Sequence, residues 1–147
     1  YSYGKDPRIL SSLELDKKMM DKDPELAKAK SAVFIQCVGS REPQRPYCSR
    51  VCCTHSIDNA LELKKINPDM NVFILYRDMR TYGFSEDYYR EAADRDVRFI
   101  RYEPRDAPEL EPGESEELEE PGESEAPEET DLPERAGEIR IIRCSHP

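Results

Sequence analysis

Ala32-Val33-Phe34-Ile35-Gln36-Cys37 is a short apolar run rich in β-formers, and it stops at Gly39-Ser40. Its length and its Gly boundary predict a buried strand. Residues 41–47 are polar and contain two prolines, a loop composition. From Ser49, apolar residues then recur through Ile57, Ala60 and Leu61 to about Ile66, just ahead of Asn67-Pro68. That spacing predicts a helix, ended by the bias of a pre-proline residue against helical geometry. Asn71-Val72-Phe73-Ile74-Leu75-Tyr76 predicts a second buried strand. Ser85 is expected to cap a further helix, with Glu86 and Asp87 in its first turn and Tyr88, Tyr89, Ala92 and Ala93 on its apolar face. Val97 to Tyr102 predicts a third strand.

The order β–α–β–α–β implies an α/β fold with a parallel sheet and crossover helices, part of a Rossmann-like three-layer architecture. In such folds the first strand-to-helix turn carries a Gly-rich loop that holds a dinucleotide phosphate. Here that turn reads Cys37-Val38-Gly39-Ser40 and runs on to Cys48, with no Gly-x-Gly-x-x-Gly. Cysteines stand where the dinucleotide would sit.

Upstream, residues 1–30 are polar and helix-tending. Ser11-Ser12-Leu13-Glu14 has capping-box spacing for a helix from Leu13 to about Met20, and Asp23-Pro24-Glu25 marks a second short helix. Downstream, Asp106 to Glu138 holds 15 Asp/Glu against one Arg, a net of −14, so the other 114 residues carry +4 of the total −10. Within it Glu111-Pro112-Gly113-Glu114-Ser115-Glu116 recurs as Glu120-Pro121-Gly122-Glu123-Ser124-Glu125. Residues 106–137 have too few apolar side chains to offset ordering entropy and are expected to be a disordered acidic loop. Glu138 to Arg143 regains strand alternation. A mild +4 on the folded part is not the concentrated basic face that nucleic acid requires. No run approaches a membrane span, and no signal peptide is visible. The absence of an initiator Met makes the chain read as a fragment.

Four of the five cysteines fall in Cys37-x10-Cys48-x3-Cys52-Cys53; Cys144 stands apart. In a chain with no secretory signal, such clustering points to metal or redox chemistry before a disulfide framework. The pattern expects Cys37 at a strand end and the other three at a helix start. Adjacent Cys52 and Cys53 splay too widely for an easy tetrahedral zinc site, whereas a cubane offers four separate irons to four thiolates. Helix amides and Arg50 are candidates to offset the thiolate charge. A four-cysteine structural zinc site is the rival, and a thiol/disulfide site a third possibility without a Cys-x-x-Cys. His55 is a candidate for tuning the site or equally a capping or surface residue. Arg77, Asp78 and Arg80 follow the second strand where a dinucleotide fold reads the ribose; without the Gly-rich loop, structural pairing is favoured.

Phe34-Ile35-Gln36-Cys37-Val38-Gly39-Ser40-Arg41, followed by Tyr47-Cys48-Ser49-Arg50-Val51-Cys52-Cys53, closely resembles the A subunit of heterodisulfide reductase, and the resemblance extends over about residues 1–104. It implies a thioredoxin-reductase-like flavoprotein that carries iron–sulfur clusters, in which Cys37, Cys48, Cys52 and Cys53 hold a [4Fe–4S] cluster exchanging electrons with FAD and partner subunits. The implied organisation is a helical segment over 1–30 from an adjoining flavin domain, a βαβαβ cluster-binding domain over 31–105, the acidic loop over 106–137, and a strand over 138–147 returning to the parent fold. A cytoplasmic location is expected, with FAD in the parent and not in this fragment. Thr54-His55-Ser56-Ile57-Asp58 is less apolar than in methanogen members, and with the acidic loop it points to a bacterial relative. With no Gly-rich loop, the purified chain is expected to bind no flavin; a stoichiometric flavin spectrum in it overturns that.

Overall fold

The computed structural model of the chain describes residues 1–110 and the strand at 138–144. In chain order the elements are β1 (Ile9–Leu10), α1 (Ser12–Met20), α2 (Pro24–Lys28), β2 (Ser31–Val38), α3 (Cys52–Ile66), β3 (Asn71–Tyr76), α4 (Ser85–Asp94), β4 (Val97–Arg101), a 3-10 turn at Pro104–Asp106 and β5 (Glu138–Cys144). The strands form one parallel sheet in the order β1-β5-β2-β3-β4. The expected α/β fragment with a parallel sheet is therefore present.

The sequence signals for α1 and α2 act as expected. The Ser11 hydroxyl accepts from the Glu14 amide at 3.3 Å, and the Glu14 carboxylate accepts from the Ser11 amide at 2.6 Å, closing a capping box. The Ser11 amide, helped by the Ser11 and Tyr3 hydroxyls, holds the Glu14 carboxyl below its usual range. Asp23 caps α2 through the Glu25 amide, with Pro24 at the first helical position. Elsewhere the boundaries differ. Helix α3 begins at Cys52 rather than near Ser49, after Arg50 has taken a left-handed φ of 60° that helical geometry forbids. Ser85 is the first residue of α4, and no side chain caps that helix. Strand β1 lies in a segment expected to be helical; Ile9 and Leu10 are buried and pair with β5.

The four helices among the described residues place apolar side chains in a single core. Leu15 of α1 and Leu26 of α2 join Ile57, Ala60, Leu61 and Leu63 of α3 and Ala92 of α4. Against them lie Ala32 and Phe34 of β2, Val72 and Ile74 of β3 and Val97 of β4, the alternate residues that one sheet face presents. Tyr89 packs at the edge of this core against Phe99, with ring centroids 4.4 Å apart. Its neighbour Tyr88, expected in the core, is 48% exposed, and Ala93 is exposed as well. Helix α4 packs against α3 and the edge strand β4 and buries Ala92. No helix among the described residues is long and apolar enough to cross a membrane. Apart from its first residues, the acidic segment and its expected disorder lie outside the described residues.

Two substitutions check this architecture in urea unfolding. Leu63→Ala, which empties a fully buried site in α3, is expected to cost about 2–5 kcal/mol. Ser11→Ala, which opens the capping box of α1, is expected to cost about 1 kcal/mol.

Candidate metal and redox site

The sheet's carboxyl-terminal end is shaped by an abrupt exit from β2. Cys37 has a φ of 62°, left-handed geometry that costs an L-residue about 1–2 kcal/mol. The β2–β5 pairing loses register between Ile35 and Val38, so the strand kinks where Cys37 leaves it. Gly39 (φ 67°) and Arg41 (φ 59°) continue the turn.

Neighbouring strands tie this turn down. The Tyr102 hydroxyl, just past β4, donates to the Gln36 carbonyl at 2.5 Å. Arg77, just past β3, donates through Nη1 to the carbonyls of Arg41 (2.9 Å) and Ser40 (3.3 Å). The Arg77 guanidinium also lies over the Tyr102 ring, 5.7 Å from its centroid. Below, the buried Gln36 side chain donates to the Ser56 hydroxyl of α3 at 2.5 Å and so joins β2 to the cysteine-bearing helix. Gln36 Oε1 and Arg77 Nε are buried and have no hydrogen-bond partner among the described residues. Burial pushes the Tyr102 hydroxyl's pKa above its ordinary value.

The four clustered cysteines lie around this end, and none is in a disulfide. Cys37 occupies the kink of β2. Cys48 belongs to the loop, not to the helix as the spacing suggested, and its sulfur accepts from the Arg50 amide at 3.4 Å. Cys52 and Cys53 are the first two residues of α3, whose N-terminus no side chain caps, so the positive end of the helix dipole lies at their thiols. The Ser49 hydroxyl is 2.7 Å from Cys52 Sγ. Cys53 is buried, and its thiol donates to the Asp78 carbonyl at 3.7 Å. Burial pushes the Cys53 pKa up; the Arg80 amide opposes that rise, and the nearby Cys37, Cys52 and Cys48 add to it. Among the described residues, no three Cys, His, Asp or Glu side chains gather as a site for a single metal ion. The backbone of Cys144 pairs with Val38, which brings that residue to the same end of the sheet.

The other candidates separate clearly. His55 lies against α1: its Nε2 is 3.0 Å from the Asp16 carboxylate, which also accepts from Asn59 at 2.9 Å. That contact gives His55 the task of joining two helices. Arg50 meets a cysteine through its amide, while its side chain is exposed. The guanidinium beside a sulfur is instead that of Arg41, with Nη1 3.9 Å from Cys37 Sγ and Nη2 2.5 Å from the Asp78 carboxylate. Each partner shifts the other, raising the Arg41 pKa and lowering that of Asp78. Arg41, Gln36, Ser56 and Tyr102 were not legible as site residues, because their roles come from pairing across strands far apart in sequence.

No protein-family model matches the chain. Curated relatives do. It is 37% identical over 117 residues to a Methanothermobacter thermautotrophicus protein named as the A subunit of an H(2):CoB-CoM heterodisulfide,ferredoxin reductase. It is 38% identical over 117 residues to a Methanococcus maripaludis protein named as the A subunit of an H(2)/formate:CoB-CoM heterodisulfide,ferredoxin reductase. It is 37% identical over 117 residues to a Methanocaldococcus jannaschii protein named as the iron-sulfur A subunit of a CoB--CoM heterodisulfide reductase. Each match covers 71% of this chain but only 18% of the relative, so the chain spans less than a fifth of the proteins it matches. Over that stretch the chain resembles one segment of the A subunit of heterodisulfide reductases.

Proposed function

We propose that this chain is the cluster-carrying, electron-transfer segment of an oxidoreductase like the A subunit of heterodisulfide reductase. Cys37, Cys48, Cys52 and Cys53 are the proposed thiolate ligands of a [4Fe–4S] cluster. The observation that carries the proposal is the placement of Cys37 at the end of β2 and of Cys52 and Cys53 in the first turn of α3, with the Asp78 carbonyl receiving the Cys53 thiol and the Asp78 carboxylate paired to the arginine beside Cys37. Four thiols match the donor set such a cluster takes. Support also comes from the Methanocaldococcus jannaschii relative, whose name calls it iron-sulfur.

When bound, the cluster would supply one-electron exchange, with FAD elsewhere in the parent and with partner subunits. The chain's own residues do the holding. The kinked end of β2 turns Cys37 out of the strand's alternation. The first turn of α3 presents Cys52 and Cys53 at a positive helix end. The Arg50 amide meets the Cys48 sulfur, oriented to stabilise thiolate charge. The proposed segment boundaries remain 31–105 for cluster binding and 1–30 for the helical part beside a flavin domain, although Leu15 and Leu26 share the core of β2–β4.

The decisive experiment is anaerobic reconstitution with iron and sulfide. The expected result is a brown protein absorbing near roughly 400 nm, with about four irons. Alanine at Cys37, Cys48, Cys52 or Cys53 is expected to lower the iron content or leave a three-iron form, and alanine at Cys144 to leave it unchanged. Uptake of zinc and never of iron would overturn the proposal in favour of a structural zinc domain. In the metal-free protein, iodoacetamide followed by peptide mass spectrometry is expected to label Cys53 last among the four, because burial withdraws its sulfur and disfavours its thiolate. Labelling of Cys53 ahead of Cys48 and Cys52 counts against this geometry.

A further inference from the structure

We infer that the Arg41–Asp78 pair sets the electron affinity of the cysteine site, with Arg41 raising the midpoint potential of the bound cluster and Asp78 lowering it. The inference rests on the proposed cluster and adds a residue pair whose charge, not its packing, does the work.

Several arginines lie at this end of the sheet, but their placement differs. Arg77 spends its guanidinium on the Ser40 and Arg41 carbonyls and the Tyr102 ring. Arg50 reaches a cysteine through its backbone amide, and the Arg80 amide opposes the rise in the Cys53 pKa. Arg41 alone of these four has its guanidinium beside a cysteine sulfur, 3.9 Å from Cys37 Sγ. At that length the hydrogen bond is weak, but Coulomb interaction falls off only as the inverse of distance, so the charge still acts on the sulfur.

Both ends of Arg41 are fixed. Its backbone carbonyl accepts from Arg77, and its Nη2 is bonded to Asp78. Its side chain is 21% exposed, so water screens the charge only in part. Asp78 is itself anchored from the far side by Arg101, 3.8 Å from its other carboxylate oxygen. Asp78 is also the residue whose carbonyl receives the Cys53 thiol. One loop therefore connects the charge pair to two of the four cysteines.

The sign follows from electrostatics. Adding an electron to a thiolate-ligated cluster increases negative charge, and a fixed cation nearby stabilises that reduced state. The potential then rises with the Arg41 charge and falls with the Asp78 charge. The two substitutions are expected to move it in opposite directions, which a loss of packing cannot imitate.

The test is the midpoint potential of the reconstituted protein, measured by EPR-monitored redox titration, together with iron content. Arg41→Gln is expected to shift the midpoint more negative, Asp78→Asn more positive, and Arg41→Lys to stay nearer the wild-type value than Arg41→Gln does. Midpoints are compared per iron-loaded protein, with the iron content of each variant measured alongside. Unchanged midpoints in iron-loaded Arg41→Gln and Asp78→Asn, or shifts of the same sign in both, overturn the inference while leaving the cluster proposal standing. Failure of the wild-type protein to load iron overturns the cluster proposal itself, and this inference with it.

Discussion

The Tyr102 hydroxyl bond to the Gln36 carbonyl, with the two Arg77 bonds to the carbonyls of Ser40 and Arg41, holds the turn on which the rest of the site depends. Cys37, Gly39 and Arg41 all adopt positive φ within five residues. Two of them are not glycine, and left to itself the chain would relax them. The partners that prevent this come from beyond the ends of β3 and β4, so the turn depends on the assembled sheet. A strained backbone at a candidate site is a recurring arrangement in which the surrounding fold over-determines a costly local conformation. The strain here turns a cysteine out of its strand and brings the following loop back over the helix start.

The energetic division between fold and site is sharp. The core is apolar and continuous from Leu15 to Val97, and it ends beneath Gln36 and Ser56. Above that level the contacts are polar and ionic, and their partners are spread over β2, β3, β4 and α3. The buried, unpartnered Gln36 Oε1 and Arg77 Nε lie in this polar layer. Such groups are expensive to desolvate, so the apolar core must sustain the layer while contributing little to its specificity. Thiolate charge collected in the same layer would be costlier still without the α3 dipole, the Arg50 and Arg80 amides and the Arg41 guanidinium.

Much of the fold was legible in the sequence because its signals are local. Val72 and Ile74 alternate with their neighbours as a strand requires, Ser11 and Glu14 close their box, and Pro24 opens α2. The misreadings arise where tertiary contacts override local preference. Helix α3 starts at Cys52 because Arg50 is held left-handed, a conformation nothing in its side chain announces. Strand β1 is only Ile9–Leu10 and exists by pairing with β5, more than a hundred residues away in sequence. Tyr88 looks like core by composition, but α4 packs over an edge strand and buries Ala92 instead.

The cysteine spacing named the candidate ligands but not what surrounds them. Cys37 and Cys53 are sixteen residues apart, and their shared neighbour is the loop after β3, where Asp78 receives one thiol and pairs with the arginine beside the other. That link is a property of parallel topology. When β2 and β3 lie side by side in the same direction, their exits coincide, and the helix that crosses between them returns its N-terminus to the first of those exits. Cys37, at the end of one strand, and Cys52 and Cys53, at the start of the helix that follows, are thereby brought to one end of the sheet by the topology. In dinucleotide-binding relatives of this architecture the same junction serves a phosphate, through glycine amides. Here Cys37 ends the strand and Cys52 and Cys53 open the helix at that junction, with the Arg41 guanidinium 3.9 Å from Cys37 Sγ.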